Sequence, residues 1–435
     1  MKVREAAYLS LVRIESGDKF SNLELDASIK KYGIDGQDKS FFTTLVYGVI
    51  EKRITLDYVI GIYSSKPIDK IEQRLLHILR LGAYQILFLS RTPDSAAVNE
   101  SVELAKSYTH KGTSGFVNGV LRSIVRNKNN IPMPDKEGIK YLSVKYSCPE
   151  WLCSMWQRDY GREKCESILA AINVNPKITL RANTLRISRD GLISILRGMG
   201  IECSPTPLSQ NGVMLDEYTP VSDITPLMEG LCIVQDEASQ LCSSALGACP
   251  GDFIVDTCSC PGGKSFGIGM DMKNEGRLLS LDLHESKLSL VKKGAERLGI
   301  TILETAVHNG THPCADLEGK ADKVLCDVPC SGLGVIAKKP DLRHKSPTDI
   351  DKLPEIQYKI LENASKYVKE GGVLVYSTCT LNRRENEDVV ERFLSNNPSF
   401  VPSKENMPFG ESSVTLFPDE NGTDGFFVSR FVRKS

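Results

Sequence analysis

The sequence lacks long apolar runs, a secretion signal and net charge. No 18 consecutive residues are apolar, and Met1 to Ala7 contain no apolar stretch before a small-residue cleavage site. The 54 Lys+Arg and 55 Asp+Glu give a net charge of −1, which argues against a protein that is basic throughout. We therefore expect a cytoplasmic chain with no membrane partner. Its 435 residues predict about two to four domains.

The motifs of several common enzyme classes are also missing. The dinucleotide fingerprint G-x-G-x-x-G and the hydrolase elbow G-x-S-x-G do not occur. Gly263-Lys264-Ser265 matches the end of a nucleotide P-loop, but Cys258 stands where the leading glycine is required. Because no histidine follows His344, the later part of the chain offers no histidine for a Ser-His-Asp triad. These absences exclude P-loop, dinucleotide and triad chemistry.

Cysteine, in contrast, is abundant, with 13 residues. An odd number of cysteines in a long chain without a secretion signal predicts reduced thiols, most of them in the core. A zinc site made of Cys258, Cys260, Cys326 and Cys330 is disfavoured, because the C-x-x-C pairs of structural zinc sites are absent. We expect no bound metal.

The near-zero net charge conceals a division along the chain. Residues 1–145 hold 22 Lys+Arg and 16 Asp+Glu, whereas the remainder holds 32 and 39. The positive excess is sharpest from Leu104 to Pro134, which contains no carboxylate. We call its charged and titratable side chains the basic cluster: Lys106, His110, Lys111, Arg122, Arg126 and Lys128. A solvated helix face and a phosphate-binding surface both explain such a cluster.

The first 130 residues predict an all-α bundle. Apolar residues recur at helical spacing over 71–86, 98–105 and 116–125. The segment 127–134 carries two prolines and is rich in asparagine, so it predicts a linker after the bundle.

After this segment the pattern changes twice. Residues 139–229 mix helical and extended patterns and predict a small α+β domain. From 230 to 435, apolar runs alternate with helix-like stretches, which predicts a parallel, doubly wound sheet. The runs are Phe253–Val255, Leu278–Leu281, Lys323–Cys326 and Val373–Tyr376, and the helix-like stretches include Glu285–Leu298 and Ile350–Val368. We thus predict domains at 1–130, 139–229 and 230–435.

Ligands of such sheets bind at the carboxyl ends of the strands. The first predicted strand is followed by Cys258, Ser259, Cys260, Pro261, Gly262, Gly263 and Lys264, which we call the glycine loop. Its two glycines open a helix and allow a ligand to approach the backbone. The second strand ends at Asp282, which is suited either to hold two ribose hydroxyls or to cap the next helix.

The next two predicted strands end near cysteines. Asp327-Val328-Pro329-Cys330 follows the third strand, and Ser377-Thr378-Cys379 follows the fourth. Because neighbouring strand ends bring distant residues together, we expect Cys330 and Cys379 to converge on one substrate.

Taken together, these motifs resemble the RsmB/Sun (Fmu) group of RNA cytosine-C5 methyltransferases, within the NOL/NOP/Sun family. The resemblance implies three parts: an all-α NusB-like RNA-binding domain, a small α+β middle domain and an α/β Rossmann-like class I methyltransferase domain. The matching segments are Leu45–Val49, Leu79–Gln85, Ala96–Glu100, Phe116–Arg122, Val234–Ser239, Lys339–Arg343 and Asp424–Phe427.

The resemblance also implies S-adenosylmethionine as the cofactor. The glycine loop is then expected to line its methionine and ribose parts, Asp282 to hold the ribose hydroxyls, and Asn309 to face the adenine edge. Asp327 is expected between cofactor and cytosine. Two positions depart from the family pattern: Cys260 lies in a loop that is usually alanine-rich, and Asn309 replaces a usual aspartate.

The implied chemistry uses both thiols. Carbon 5 of cytosine is a poor nucleophile, so the thiolate of Cys379 first adds at carbon 6 while Asp327 contacts N3. Cys330, or a water that it orients, then removes the proton from carbon 5. Lys264 helps to lower a thiol pKa or to orient Asp327.

Small-subunit (16S) ribosomal RNA is the expected substrate and RNA partner of a monomeric enzyme, because a NusB-like domain marks this subgroup. The basic cluster then holds phosphates, and Arg181, Arg186, Arg189 and Arg197 either extend that surface or are ordinary solvated arginines. Two alternatives remain open: a transfer-RNA cytosine-C5 methyltransferase, and an RNA-binding or assembly factor with a silent catalytic domain.

Overall fold

A computed structural model describes residues 2–17, 21–217 and 219–435. The chain forms two compact units. The first comprises Met1–Ala170 with Lys339–His344, and the second comprises Ala171–Lys338 with Lys345–Ser435. In the part of the chain described, no helix is long and apolar enough to cross a membrane.

The first unit is helical, as the spacing of apolar residues predicted. Its helices are α1 (Val3–Glu15), α2 (Ser21–Tyr32), α3 (Gly36–Glu51), α4 (Arg53–Tyr63), α5 (Gln73–Phe88), α6 (Asp94–Tyr108), α7 (Thr113–Asn127), α8 (Ile139–Tyr146), α9 (Glu150–Tyr160) and α10 (Arg162–Ala171). The three predicted stripes lie on α5, α6 and α7. At Gly82 on α5, a Cβ atom would come within 2.6 Å of Leu121 and Ser101, so glycine allows these helices to pack closely.

The segment Lys339–His344 packs within this helical unit. Arg343 is fully buried, and its Nη1 donates to the backbone oxygens of Glu51 (2.9 Å) and Ser147 (3.1 Å). Burial lowers the pKa of His344 to about 4, so the imidazole is neutral at pH 7.

The second unit begins with a small antiparallel sheet. Its strands are β1 (Thr179–Ala182), β2 (Cys203–Pro205), β3 (Gly212–Leu215) and β4 (Cys232–Val234), in the order β2-β3-β1-β4, with helices α11 (Arg189–Gly198) and α12 (Thr225–Met228). This is the predicted small α+β fold. Arg181, however, is buried and pairs with Asp271 at 2.9 Å, so it does not extend an RNA-binding surface.

The larger sheet follows. Its elements are α13 (Glu237–Ala245), β5 (Phe253–Asp256), α14 (Gly263–Asp271), β6 (Arg277–Asp282), α15 (Glu285–Leu298), β7 (Leu303–Val307), β8 (Ala321–Asp327), α16 (Pro347–Ile350), α17 (Leu353–Tyr367), β9 (Val368–Thr378), α18 (Glu387–Asn396), β10 (Phe400–Pro402), β11 (Ser413–Leu416), α19 (Pro418–Asn421) and β12 (Phe426–Arg433). The strand order is β10-β12-β9-β8-β5-β6-β7, and β11 pairs with β12.

This sheet is mixed, which corrects the prediction of a parallel sheet. Strands β5 to β9 are parallel, but β12 is antiparallel to β9, and β10 and β11 are antiparallel to β12. Antiparallel edge strands on a parallel sheet are common in α/β folds. The prediction missed β10 and β11 because they span only three and four residues.

The order of the strands places a switch point between β5 and β8. From β5 the chain runs outward through β6 and β7 and then returns to β8 and β9 on the other side. Ligands of such sheets bind outside the carboxyl ends of the strands at this point. The ends of β9, β8, β5, β6 and β7 therefore lie side by side.

Candidate active site

The structure brings Cys330 and Cys379 together, as predicted. Strands β8 and β9 run parallel with Asp327 beside Ser377, and the next backbone N–H, that of Val328, donates to the Ser377 oxygen at 3.1 Å. Cys330 lies three residues after Asp327, and Cys379 lies two residues after Ser377. Their sulfur atoms are 3.1 Å apart, and both side chains are half-buried.

The contact between the two thiols affects the protonation of Cys330. The hydrogen bond with Cys379, together with burial, raises the pKa of Cys330 well above its ordinary value. At neutral pH Cys330 therefore keeps its proton, and either sulfur can be the donor of the contact.

An ion pair lies next to the thiols and spans the switch point. Lys264 Nζ, at the start of α14, is 2.7 Å from Asp327 Oδ2 at the end of β8. Ser377 Oγ donates to the other carboxylate oxygen at 2.7 Å. Burial alone would lower the pKa of Lys264, but the Asp327 carboxylate and the nearby Cys379 raise it above its ordinary value. The site thus keeps a positive charge beside Cys379, which favours a thiolate there.

The glycine loop has the tight backbone that its two glycines predicted. Gly262 has φ +109°, and a Cβ atom there would lie 2.4 Å from the Phe266 ring. The Ser259 N–H donates to the Leu281 oxygen at 2.8 Å, which holds the loop against the end of β6. Burial and the neighbouring Asp282 raise the pKa of Cys260 to about 12, so this thiol is neutral. The loop and Asp282 therefore form one surface.

Asp282 and Asn309 lie at the ends of neighbouring strands. Asp282 Oδ1 accepts from the His284 N–H at 2.9 Å, in a turn just before α15, whose N-cap is His284. Asn309 Oδ1 accepts from the N–H (3.1 Å) and the hydroxyl (2.8 Å) of Thr311. The Asn309 oxygen is thus engaged locally, so its amide NH₂ group is the part suited to meet a ligand.

Two buried polar atoms at the glycine loop suit the binding of a ligand. Ser259 Oγ and Gln235 Oε1 are buried and have no hydrogen-bond partner among the described residues. Buried polar atoms are rarely left unpaired, so a ligand group is expected there. Gln235 Nε2 donates to the Gly263 oxygen at 3.0 Å, which fixes the start of α14. Together with the half-buried carboxylate of Asp282, these groups fit S-adenosylmethionine.

Sequence reasoning missed several residues of the site. Ser377 lies two residues before Cys379, and strand alternation could have placed it on the same face. Asp256, the last residue of β5, was assigned no role. It is buried, accepts from Ser265 Oγ at 2.6 Å, and has its pKa raised by burial to about 7. Gln235 lay in a matching segment without an assigned role.

The basic cluster of the helical unit is exposed along its length. Lys106 pairs with Glu103 and Lys128 with Asp94, each at 2.7 Å. Arg122 contributes to the wall of a cavity of about 430 Å³ near the start of α6.

Within the described ranges, no three His, Cys, Asp or Glu side chains come together in a way that could hold a metal ion. All thirteen cysteines are free thiols.

Comparisons with known proteins agree with this architecture. Three family profiles match successive parts of the chain. These are the NusB family over residues 1–126, the ferredoxin-like domain of RsmF/B-like methyltransferases over 148–222, and 16S rRNA methyltransferase RsmB/F over 243–432. The probable ribosomal RNA small subunit methyltransferase B of Bacillus subtilis is 38% identical over 99% of both chains. Its counterpart in Synechocystis is 34% identical over 100% of both. The crystal structure of PH0851 aligns with 99% of this chain and with 98% of the PH0851 chain. The sequence identity is 27% and the TM-score is 0.83. The chain therefore belongs to the 16S rRNA methyltransferase RsmB/F family, whose cofactor is S-adenosylmethionine.

Proposed function

We propose that this chain methylates carbon 5 of a cytosine in 16S ribosomal RNA through a covalent adduct with Cys379. The observation that carries the proposal is the pair of sulfur atoms 3.1 Å apart at the ends of β8 and β9. Methylation of an exocyclic amine needs no covalent adduct and gives two thiols no task. Carbon 5 has to be activated by a nucleophile at carbon 6 and then freed, which requires a thiolate and a second group.

The first step belongs to Cys379, Asp327 and Lys264. The Cys379 thiolate adds to carbon 6, and Asp327 holds N3. Lys264 is protonated and lies 2.7 Å from Asp327. It can therefore supply, through Asp327, the proton that N3 gains. When bound, S-adenosylmethionine supplies the methyl group that carbon 5 receives.

The second step belongs to Cys330. Once the Cys379 sulfur is bonded to carbon 6, it no longer makes the same contact with Cys330, and that contact is the largest cause of the raised pKa of Cys330. Cys330 can then lose its proton to solvent, and its thiolate, or a water that it orients, takes the proton from carbon 5. The Cys379 thiolate then leaves carbon 6.

Ribosomal RNA is the proposed substrate because the Bacillus subtilis and Synechocystis relatives are named for the small subunit. A flipped or single-stranded cytosine is needed, since the base has to enter the site. We assign the RNA phosphates to the exposed basic cluster, of which Lys106 and Lys128 are paired with carboxylates. The Cys330, Cys379 and Asp327 side chains argue against a silent catalytic domain.

The test is incubation of the purified chain with S-adenosylmethionine and either 16S ribosomal RNA or transfer RNA, followed by nucleoside mass spectrometry and bisulfite sequencing. We expect 5-methylcytidine at a defined position of 16S RNA. 5-Methylcytidine in transfer RNA alone would support the transfer-RNA alternative. N4-methylcytidine would contradict the proposed chemistry, and RNA binding without methylation would support an assembly factor.

A further inference from the structure

A buried carboxylate lies behind the loop that carries Cys330. Glu385 follows β9 by seven residues and is fully buried. Its Oε2 accepts from the Ser331 N–H and from Gln357 Nε2, each at 2.8 Å. Its Oε1 accepts from Asn382 Nδ2 at 2.8 Å. The hydrogen-bond donors to this carboxylate are thus neutral N–H groups.

These contacts hold the backbone on both sides of Cys330. Glu385 binds the N–H of the residue after it, Ser331. Gln357, also fully buried, donates to the oxygen of the residue before it, Pro329, at 2.9 Å. Because one Gln357 amide nitrogen contacts both Glu385 and Pro329, the two contacts form one network.

The same network reaches the strand that carries Cys379. The Tyr376 hydroxyl donates to the Glu385 backbone oxygen at 2.6 Å. Ser331 Oγ and Thr380 Oγ1 are 2.7 Å apart, and each belongs to a residue that directly follows one of the two cysteines. The carboxylate of Glu385 thus binds the backbone beside Cys330 directly, whereas the links to the strand of Cys379 run through the Glu385 backbone oxygen and the Ser331 hydroxyl.

Burying a carboxylate among neutral groups is costly, and an apolar residue would usually give a more stable core. Such a charge does, however, make short and directional hydrogen bonds, which hold a backbone more firmly than neutral ones. Buried groups of this kind commonly fix the geometry of side chains that react.

We propose that Glu385 is a positioning residue that sets Cys330 for the release step, and that it acts little on the attack by Cys379. This rests on the proposed function. In the release step the proton on carbon 5 passes to Cys330 or its water, and the C5–H electron pair forms the double bond to carbon 6. The electron pair of the C6–S bond returns to Cys379 as a thiolate.

The test compares Glu385→Gln with Glu387→Gln, a matched control two residues away. Glu387 is only partly buried and accepts from Thr415 Oγ1 at 3.2 Å. For each variant, turnover is measured as 5-methylcytidine formed, and trapping as the fraction of protein in an RNA adduct that survives denaturant. We expect Glu385→Gln to lower turnover by about 10- to 100-fold and to accumulate adduct, since small misplacements of a reacting group cost that much. Glu387→Gln should behave as the unmodified chain.

A second variant covers the case in which Glu385→Gln does not fold. Gln357→Met removes the contacts with Pro329 and with Glu385 Oε2 but retains the Glu385 carboxylate and its contact with Ser331, and we expect the same accumulation of adduct with slower turnover. Normal turnover of the folded Gln357→Met variant would overturn the inference, as would loss of both adduct and turnover in folded Glu385→Gln.

Cys330→Ala separates this inference from the proposed function. If Cys330→Ala traps no adduct, the release role of Cys330 fails, and the Glu385 role fails with it. If Cys330→Ala traps the adduct while Glu385→Gln and Gln357→Met turn over normally, only the role of Glu385 is wrong.

Discussion

The two units of the protein each hold a group of neighbouring cysteines, but the groups differ in their partners. In the helical unit Cys148, Cys153 and Cys165 are fully buried. The Cys153 thiol donates to the Cys148 oxygen at 3.7 Å, and the Cys165 thiol donates to the Cys153 oxygen at 3.4 Å. Burial raises the pKa of Cys165 to about 12. In the sheet unit, Cys330 and Cys379 are half-buried and face each other.

The difference shows what makes a thiol reactive in this chain. A thiol that is buried and donates to a backbone oxygen stays protonated and fills space. At the end of β9, a second thiol and the Lys264 ammonium lie beside the sulfur, and the side chain is reachable from solvent. Substitutions in the active site, most of them paired with a control elsewhere in the chain, test this difference. They follow from the largest expected effect to the smallest.

Exchange of the nucleophile should have the largest effect. Cys379→Ala is expected to lower methyl transfer by at least ~10³-fold, since removal of an enzyme nucleophile commonly costs this much or more. Cys153→Ala should leave transfer by the folded protein unchanged and lower its melting temperature, because it opens a small cavity. Incorporation of labelled methyl groups into 16S RNA measures both. Substantial activity of Cys379→Ala would show that another group attacks carbon 6.

Exchange of the second thiol should separate attack from release. Cys330→Ala is expected to hold RNA in an adduct that survives denaturant, because the attacking thiol remains and the group that frees it is lost. Cys165→Ala is the core control and should trap nothing. The adduct should disappear in the Cys330→Ala/Cys379→Ala double variant. Normal turnover of Cys330→Ala would rule out its role in release.

Exchange of the ammonium should have a smaller effect. Lys264→Met is expected to reduce transfer by about 10²-fold, within the usual contribution of a proton-handling side chain. Lys323 is the control, since it pairs with Asp252 at 2.7 Å and is similarly buried, but lies near the other end of the strands. Lys323→Met should lower stability by about 1–3 kcal/mol, as the loss of one partner of a half-buried pair does, and leave the rate unchanged. Equal rate losses in the two variants would mean that the Lys264–Asp327 pair acts only structurally.

The smallest effect on rate is expected at Asp256, although stability should respond to pH. Burial raises the pKa of Asp256 to about 7, whereas the pKa of an aspartate in an unfolded chain is about 4. Between these values the folded chain holds a proton that the unfolded chain has lost. Asp256 therefore makes its full contribution to the stability of the fold below about pH 4, and this contribution is lost as the pH rises through about 7.

Asp256→Asn removes this dependence. Urea unfolding at several pH values measures the free energy of unfolding of both chains. Between about pH 4 and pH 7, that of the unmodified chain should fall relative to that of the variant as the pH rises, by up to about 1.4 kcal/mol per pH unit. A constant difference between pH 4 and pH 8 would contradict the raised pKa.

Sequence patterns predicted the parts of the molecule that depend on local spacing. Helices α5 to α7 and strands β5, β6, β8 and β9 follow from periodic apolar residues. The meeting of Cys330 and Cys379 follows from a rule about parallel strands, so their separation of 49 positions along the chain did not obscure it.

The residues that were missed depend on partners far away in sequence. Arg181 is a charged residue like any other until Asp271, 90 residues later, is seen to pair with it. Glu385 lies among charged residues and resembles a surface acid, and only the fold brings it to Ser331 and Gln357. Strands β10 and β11 are too short for a periodic pattern to appear.

The central claim is that the two thiols activate and then release carbon 5 of cytosine. The most direct test uses 16S RNA that carries tritium on carbon 5 of its cytosines, with the tritium released to water counted against the methyl groups transferred. We predict one tritium released for each methyl group, and adduct without release in Cys330→Ala. Methyl transfer without release of tritium would place the methyl group on another atom and contradict the account.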